Sequence, residues 1–117
     1  MRTDLIERTK MFAVNIIHFT QTLPPNSVCK VIGNQLLRSG TSVGANYRSA
    51  QRAKSKSDFI YKIKIAEEEA DESIYWFELL KDSKLLKDYT EADRLHNEAS
   101  ELTAILGSIA IKSKGLK

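Results

Sequence analysis

Apolar residues recur at three- and four-residue intervals along almost the whole chain, in four blocks separated by short polar or proline-containing stretches. That spacing puts one side of an α-helix in the apolar phase. No stretch shows the alternation by two that a half-buried strand requires. Four amphipathic helices of roughly 18–25 residues with short connections can cover one another's stripes only by packing together. The expected fold is all-α: an antiparallel up-down-up-down four-helix bundle, one domain over residues 1–117, with helices over about 3–21, 27–52, 57–81 and 91–111.

The boundaries follow from local chemistry. In the first block Leu5, Ile6, Thr9, Phe12, Ala13, Ile16 and Ile17 repeat at helical spacing, and "LPPNS" at 23–27 ends it. Two consecutive prolines cannot continue a helix, while Asn26 or Ser27 can cap the next. "KSKSD" at 54–58 interrupts the pattern weakly, with Ser57 as the expected cap of the third helix. In "KDYTEAD", Thr90 is placed to cap the fourth, with Asp93 at its third position as a variant capping box. The tail "KSKGLK" is expected to fray.

A chain of 117 residues supports one hydrophobic core but not two. Its longest apolar runs fall far below the roughly 18–20 residues needed to cross a bilayer, so no membrane span is expected. Charged residues spread through the first twenty positions do not make a signal peptide. Cys29 is the only cysteine, which leaves no internal disulfide and suits a reducing cytoplasm. It is expected to act as a small apolar filler.

Charge is distributed unevenly. Residues 1–64 hold eleven Lys/Arg against three Asp/Glu, whereas 65–117 hold seven against twelve. Such asymmetry either attracts an anionic partner to one half or lets the basic part of one subunit meet the acidic part of another. On a helical wheel Ile32, Leu36, Ser39, Val43, Tyr47 and Ala50 share the core arc of the second helix, and Arg38, Arg48 and Arg52 fall roughly opposite. The basic run continues through Lys54, Lys56, Lys62 and Lys64, with Tyr47 and Tyr61 interleaved. A solvated face is the plainer reading of such a stripe. Contact with phosphates, with bases stacking on whichever of the tyrosines is exposed, is the functional one.

Gly40 and Gly44 lie beside the core arc, each about 1 kcal/mol less favourable than alanine in a helix interior. Close approach of another helix accounts for them. A phosphate loop does not, because Ala45 stands where its lysine should follow and the context lacks a preceding strand. The third helix carries two apolar faces: Phe59, Ile60, Ile63, Ala66, Ala70, Ile74 and Phe77 on one side, Tyr61, Ile65, Trp76 and Leu79 on the other. One bundle buries only one of them, so the second is expected at a subunit interface. Glu72 lies within it and is expected to meet a basic residue of a neighbouring subunit.

Catalytic patterns are sparse. "EEEADE" at 67–72 gathers carboxylates, but a di-metal bundle needs Glu-x-x-His on two helices, and only Asp93-x-x-His96 comes near; His18 lacks the companion carboxylate. No metal, cofactor or catalytic residue is expected. Glu67 points toward the first apolar face and is expected to need a buried partner.

The segments "ERTKMFAVNII", "LP" and "QLLRSGTSVGANYRSAQRAKSKSDFIYKIKIAEEEADESIYWFELL" resemble the four-helix bundle proteins encoded in intervening sequences of bacterial 23S ribosomal RNA genes, over nearly the whole chain. The resemblance implies a ring-like homopentamer and places Arg38, Arg48 and Arg52 within the family motif. It extends to accessory proteins of diversity-generating retroelements, in which a basic ring engages nucleic acid and a reverse transcriptase. The expected function is non-enzymatic, homo-oligomeric binding of nucleic acid, RNA foremost. A scaffold that docks a nucleic-acid enzyme such as a reverse transcriptase is the alternative.

Overall fold

The computed structural model describes residues 2–115, with side chains from Asp4 to Gly115. Every regular element among them is an α-helix: α1 (Arg2–Gln21), α2 (Ser27–Ala50), α3 (Lys56–Asp82) and α4 (Thr90–Lys114). The molecule measures 50 × 22 × 20 Å, which is the length of the longest helix at 1.5 Å per residue plus its connectors. Each helix packs along the next in sequence, and α1 meets α4 more sparsely.

The caps show why the helices start where they do. Asn26 accepts a hydrogen bond from the Cys29 amide at 2.8 Å and caps α2. Ser55, not Ser57, caps α3 by accepting from the Asp58 amide, while Asp58 accepts from the Lys54 amide at 3.1 Å. This reciprocal pair satisfies two amides that the first turn leaves without helical partners. α2 accordingly ends at Ala50, two residues short of the expected Arg52. The expected Thr90 cap is also corrected: Tyr89 occupies that position without a side-chain bond, and Asp88 Oδ1 accepts from both the amide and the hydroxyl of Thr90. α4 runs on to Lys114 instead of fraying after Ile111. Leu116 and Lys117, the last residues of that tail, lie outside the described residues.

The core is a continuous column of Leu5, Phe12, Ile16 and Phe19 from α1, Ile32, Leu36, Val43 and Tyr47 from α2, Ile63, Phe77 and Leu80 from α3, and Leu95, Leu102 and Leu106 from α4. Alanines at 66, 70, 92, 99 and 110 are also buried and let the helix axes approach. In α1, Phe19 takes the inward place and Ile17 faces solvent. The progression 12, 16, 19 continues one stripe, and 17 falls a residue out of phase. The only buried polar side chains among the described residues are Thr9, Ser39 and Ser73. Thr9 returns its hydroxyl proton to the Leu5 carbonyl at 2.8 Å. Ser39 and Ser73 share a 2.8 Å bond between α2 and α3, and Ser73 donates onward to the Glu69 carbonyl.

Gly40 and Gly44 face α1. A Cβ on Gly40 would lie 2.8 Å from Ile16 Cγ1, and one on Gly44 would lie 3.2 Å from the Thr9 carbonyl oxygen. These two positions let the α1 and α2 backbones come together over a side chain, Ile16, that is itself fully buried.

Candidate nucleic-acid interface

The contacts between helices fix a register that gathers the cations. Arg38 on α2 reaches Glu72 on α3, and Ser39 reaches Ser73. Moving along both helices from there, Arg48 and Arg52 come level with the stretch from Asp58 to Lys64. The Lys81–Asp93 bridge sets the register of α3 against α4, which brings Lys112 level with Lys62. One end of the bundle therefore collects Arg48 from α2, Arg52 and Lys54 from the connector after it, Lys56, Lys62 and Lys64 from α3, and Lys112 and Lys114 from α4. The α4 lysines are an addition to the residues singled out by sequence. Their distance along the chain hid them, and only the packing of α4 on α3 brings them to this end.

The members of this set are not equivalent. Arg48, Arg52, Lys56, Lys64, Lys112 and Lys114 are exposed and form no ion pair among the described residues. Lys54 is exposed as well, and only its backbone amide is engaged, by Asp58. Lys62 lies 3.3 Å from Asp58 one turn earlier on the same helix. The Asp58 carboxyl is held below its ordinary pKa first by the Lys54 amide and then by the Lys62 ammonium. Lys62 thus belongs to the basic end in position while part of its field is neutralised locally.

Arg38 departs from the expectation of an outward, unpaired cation. Its guanidinium bonds Glu72 Oε2 and, at 3.2 Å, Glu69 Oε2, both on α3. Glu69 Oε1 also stands 3.2 Å from Arg38 Nη1, but it lacks hydrogen-bond alignment and is otherwise unpartnered. The indole of Trp76 donates to Glu72 at 3.0 Å. Burial alone would raise the Glu72 carboxyl, but the bonds from Arg38 and then Trp76 outweigh it and hold the group below its ordinary value. The Arg38 guanidinium is correspondingly held more firmly in its charged form, first by Glu72 and then by Glu69. Glu72 therefore finds partners within its own chain, Arg38 and Trp76. A second clamp ties α1 to α4: Arg8 bonds Glu98 at 2.7 Å and 2.8 Å and Glu101 at 2.7 Å.

The second face of α3 is also uneven. Tyr61 is 63% exposed and Ile65 is half-buried. Trp76 and Leu79 are partly covered by the chain's own core, and Trp76 is held by Glu72. Sequence reasoning did not include Tyr75, 52% exposed, nor Val28 and Val31 on α2, 50% and 59% exposed. The Arg38–Glu72 register puts Val31 level with Leu79, so these side chains lengthen the apolar stripe across α2 and α3. Val28 and Val31 were legible as a pair three apart, but the stripe they extend belongs to a different helix.

The remaining candidates resolve into structure. Lys81 donates to His96 Nδ1 at 2.9 Å and bridges Asp93 at 2.9 Å, and His96 stacks flat on Phe77. Lys81 thus occupies both groups of the Asp93-x-x-His96 pattern. His18 is exposed. Among the described residues no three His, Cys, Asp or Glu side chains cluster closely enough to hold a metal ion, and no helix is long and apolar enough to cross a membrane. Glu67 has no hydrogen bond or ion pair among the described residues. Its half-buried carboxylate lies over Gly107, where a Cβ would stand 2.8 Å from Oε2. The missing side chain at 107 supplies room in place of the expected buried partner. Cys29 is buried on the core face of α2.

A family model for the 23S rRNA-intervening sequence protein matches residues 2–108. The chain is also similar to a protein with unknown function from the S23 ribosomal protein family of Bacteroides thetaiotaomicron. The crystal structure of that protein superposes with a TM-score of 0.83 at 36% identity, covering 94% of this chain and 98% of the other. No curated protein sequence matches. With the four helices, the glycine-packed α1–α2 contact and a family match spanning the bundle in place, the chain belongs to the 23S rRNA-intervening sequence protein family.

Proposed function

We propose that this protein is a non-enzymatic nucleic-acid-binding protein, with RNA as its principal ligand, acting through the basic end of an up-down-up-down bundle that assembles into a ring-like homopentamer in the cytoplasm. The observation that carries the reading is the contrast in pairing. Arg8, Arg38 and Lys81 are all engaged by carboxylates of the same chain, whereas the exposed cations at the α2–α3 end form no ion pair among the described residues. Unpaired arginines and lysines on one surface attract phosphates without selecting sequence.

Two further features support the finer parts of this reading. Contacts between neighbouring helices run in opposite order, as in Gly40 against Ile16 followed by Gly44 against Thr9, which favours the up-down course. The exposed Val28, Val31, Tyr61 and Tyr75 favour a protein–protein contact, because large aromatic and aliphatic side chains left in water anchor such surfaces. The same side chains favour the second reading, a scaffold that docks a nucleic-acid enzyme such as a reverse transcriptase. The single cysteine suits a reducing compartment.

The test is binding of labelled RNA at low salt, followed by capture of partners with and without nuclease. Direct binding that weakens steeply with salt is expected. A protein partner retained after nuclease, with no direct binding, would instead favour the scaffold. Assembly is tested by light scattering of Tyr61→Asp and Ile65→Asp, which are expected to yield smaller species with unchanged helicity; an unchanged mass would remove this face from the interface. These positions are cleaner than Trp76, whose truncation also breaks the bond to Glu72.

A further inference from the structure

The two long edges of α1 differ. Toward α2 the backbones close over Gly40 and Gly44, whereas toward α4 a cavity of about 460 Å³ opens at the basic end. Leu5, Tyr47, Phe59, Ile105 and Ile109 form its apolar walls, and Asp4, Gln51 and Arg8 its polar rim, with Arg8 already bonded to Glu98 and Glu101. Phe59, Ile105 and Ile109 are only partly buried, so the cavity has a mouth and is not an internal void. Its volume falls within the range of small-molecule pockets.

The surroundings of the mouth identify its occupant. Lys56 stands three residues before Phe59 and Lys112 three residues after Ile109, so each shares a helix face with a wall of the cavity. Arg52 directly follows Gln51. Three cations without ion pairs among the described residues therefore border an apolar slot that contains an aromatic face. A purely apolar ligand makes no use of the cations, and a free phosphate makes none of the slot. A nucleotide uses both, since its phosphates meet lysine and arginine while its base enters against phenylalanine. Gln51 can add hydrogen bonds to the base edge: its amide nitrogen donates to the Tyr47 carbonyl at 3.3 Å, and its carbonyl oxygen can accept.

We infer that the open seam between α1 and α4 receives one unstacked base of a bound single strand, between Phe59 and Ile109, while Arg52, Lys56 and Lys112 hold the flanking phosphates. This rests on the nucleic-acid reading above and extends it from charge alone to a defined nucleotide subsite. It also gives a reason for preferring single-stranded or looped ligands, because a base within a duplex cannot enter.

The experiment compares anisotropy titrations of a short single-stranded oligonucleotide and its abasic counterpart, which carries the same phosphates without bases. The native protein is expected to bind the abasic strand at least about five-fold more weakly, the lower end of what one base–aromatic stack contributes, with the same dependence on salt. Ile109→Trp, which fills the slot, and Phe59→Leu, which removes the aromatic face, should each shrink that difference while leaving abasic binding unchanged. Equal binding of the two strands by native protein overturns the subsite and leaves phosphate binding standing. Failure of both strands to bind overturns the nucleic-acid reading together with the subsite. A difference that persists in folded Ile109→Trp or Phe59→Leu places the base elsewhere and overturns the assignment to this seam.

Discussion

Arg38 and Arg48 stand on α2 and Arg52 two residues past its end, all in one basic run, yet the middle of α2 and its C-terminal end use them differently. In the middle, α3 presents Glu69 and Glu72, and Arg38 is drawn across to them with Trp76 completing the contact. At the end, the residues of α3 that come level run from Asp58 to Lys64, and their one acid, Asp58, is already engaged by the Lys54 amide and the Lys62 ammonium, so Arg48 and Arg52 remain available. The middle is closed on its inner side as well, where Gly40 admits Ile16. The difference shows that a row of like charges is not a row of like functions. What the neighbouring helix offers at each level decides which cations are left for a ligand.

The largest expected effect falls on the closed middle. Gly40→Ala places a Cβ 2.8 Å from Ile16, which is fully buried. Overpacking of this kind costs about 1–3 kcal/mol, against about 1 kcal/mol regained in helix propensity, so urea unfolding should show a net loss. Gly44→Ala meets Thr9 at 3.2 Å and should cost less. Equal effects at the two positions would break the contrast between a tight middle and a looser end.

Arg38→Ala comes next. It leaves Glu69, mostly buried, and Glu72 without their cation. A loss of about 1 kcal/mol is expected in urea unfolding, at the upper end for surface pairs and well below a buried one because the guanidinium is 48% exposed. Arg48→Ala/Arg52→Ala should leave stability within about 0.5 kcal/mol of native, the usual range for exposed substitutions. A comparable loss in both variants would mean that the end is paired after all.

The smallest effect is the pH dependence of the same network. The Glu72 carboxyl is held below its ordinary 4.5, so its contribution to stability is fully present above that value and is lost as pH falls through the lowered one. Native protein should therefore lose stability below about pH 4.5 more steeply than Glu72→Gln, as read by thermal melts across an acid series. Parallel profiles would show that Arg38 and Trp76 do not favour the ionised form.

The contrast also explains what could be read from the sequence. Ile32, Leu36, Ser39, Val43, Tyr47 and Ala50 were all placed on the core arc of α2 and all are buried, because helical phase alone sets that face. The polar Ser39 was legible there, but its partner was not. Ser73 stands inward beside Ile74, and only the packing of α2 on α3 distinguishes the two. Arg38 failed for a related reason: a wheel gives the direction of Cβ, while a long guanidinium can bend across to an adjacent helix. The Lys112 and Lys114 contribution, the outward extension through Val28 and Val31, and the cavity beside α1 likewise arise between helices. A single-helix pattern contains no record of them. Local chemistry was nearly sufficient at the ends, where Asn26 caps as expected, but "KSKSD" offered competing serines and Ser55 prevails because Asp58 stands three residues beyond it.

The most direct measurement is RNA-binding anisotropy over a salt series for native protein, Arg38→Ala and Arg48→Ala/Arg52→Ala, each at a matched assembly state. For a single-stranded ligand each phosphate contact contributes about 0.7 to the log–log salt slope. The Arg48→Ala/Arg52→Ala slope should therefore be shallower by about 1.4, with affinity lower on the order of ten-fold, while Arg38→Ala keeps the native slope. Identical slopes in all three proteins, or a loss confined to Arg38→Ala, would contradict a phosphate-binding surface at the open end of α2.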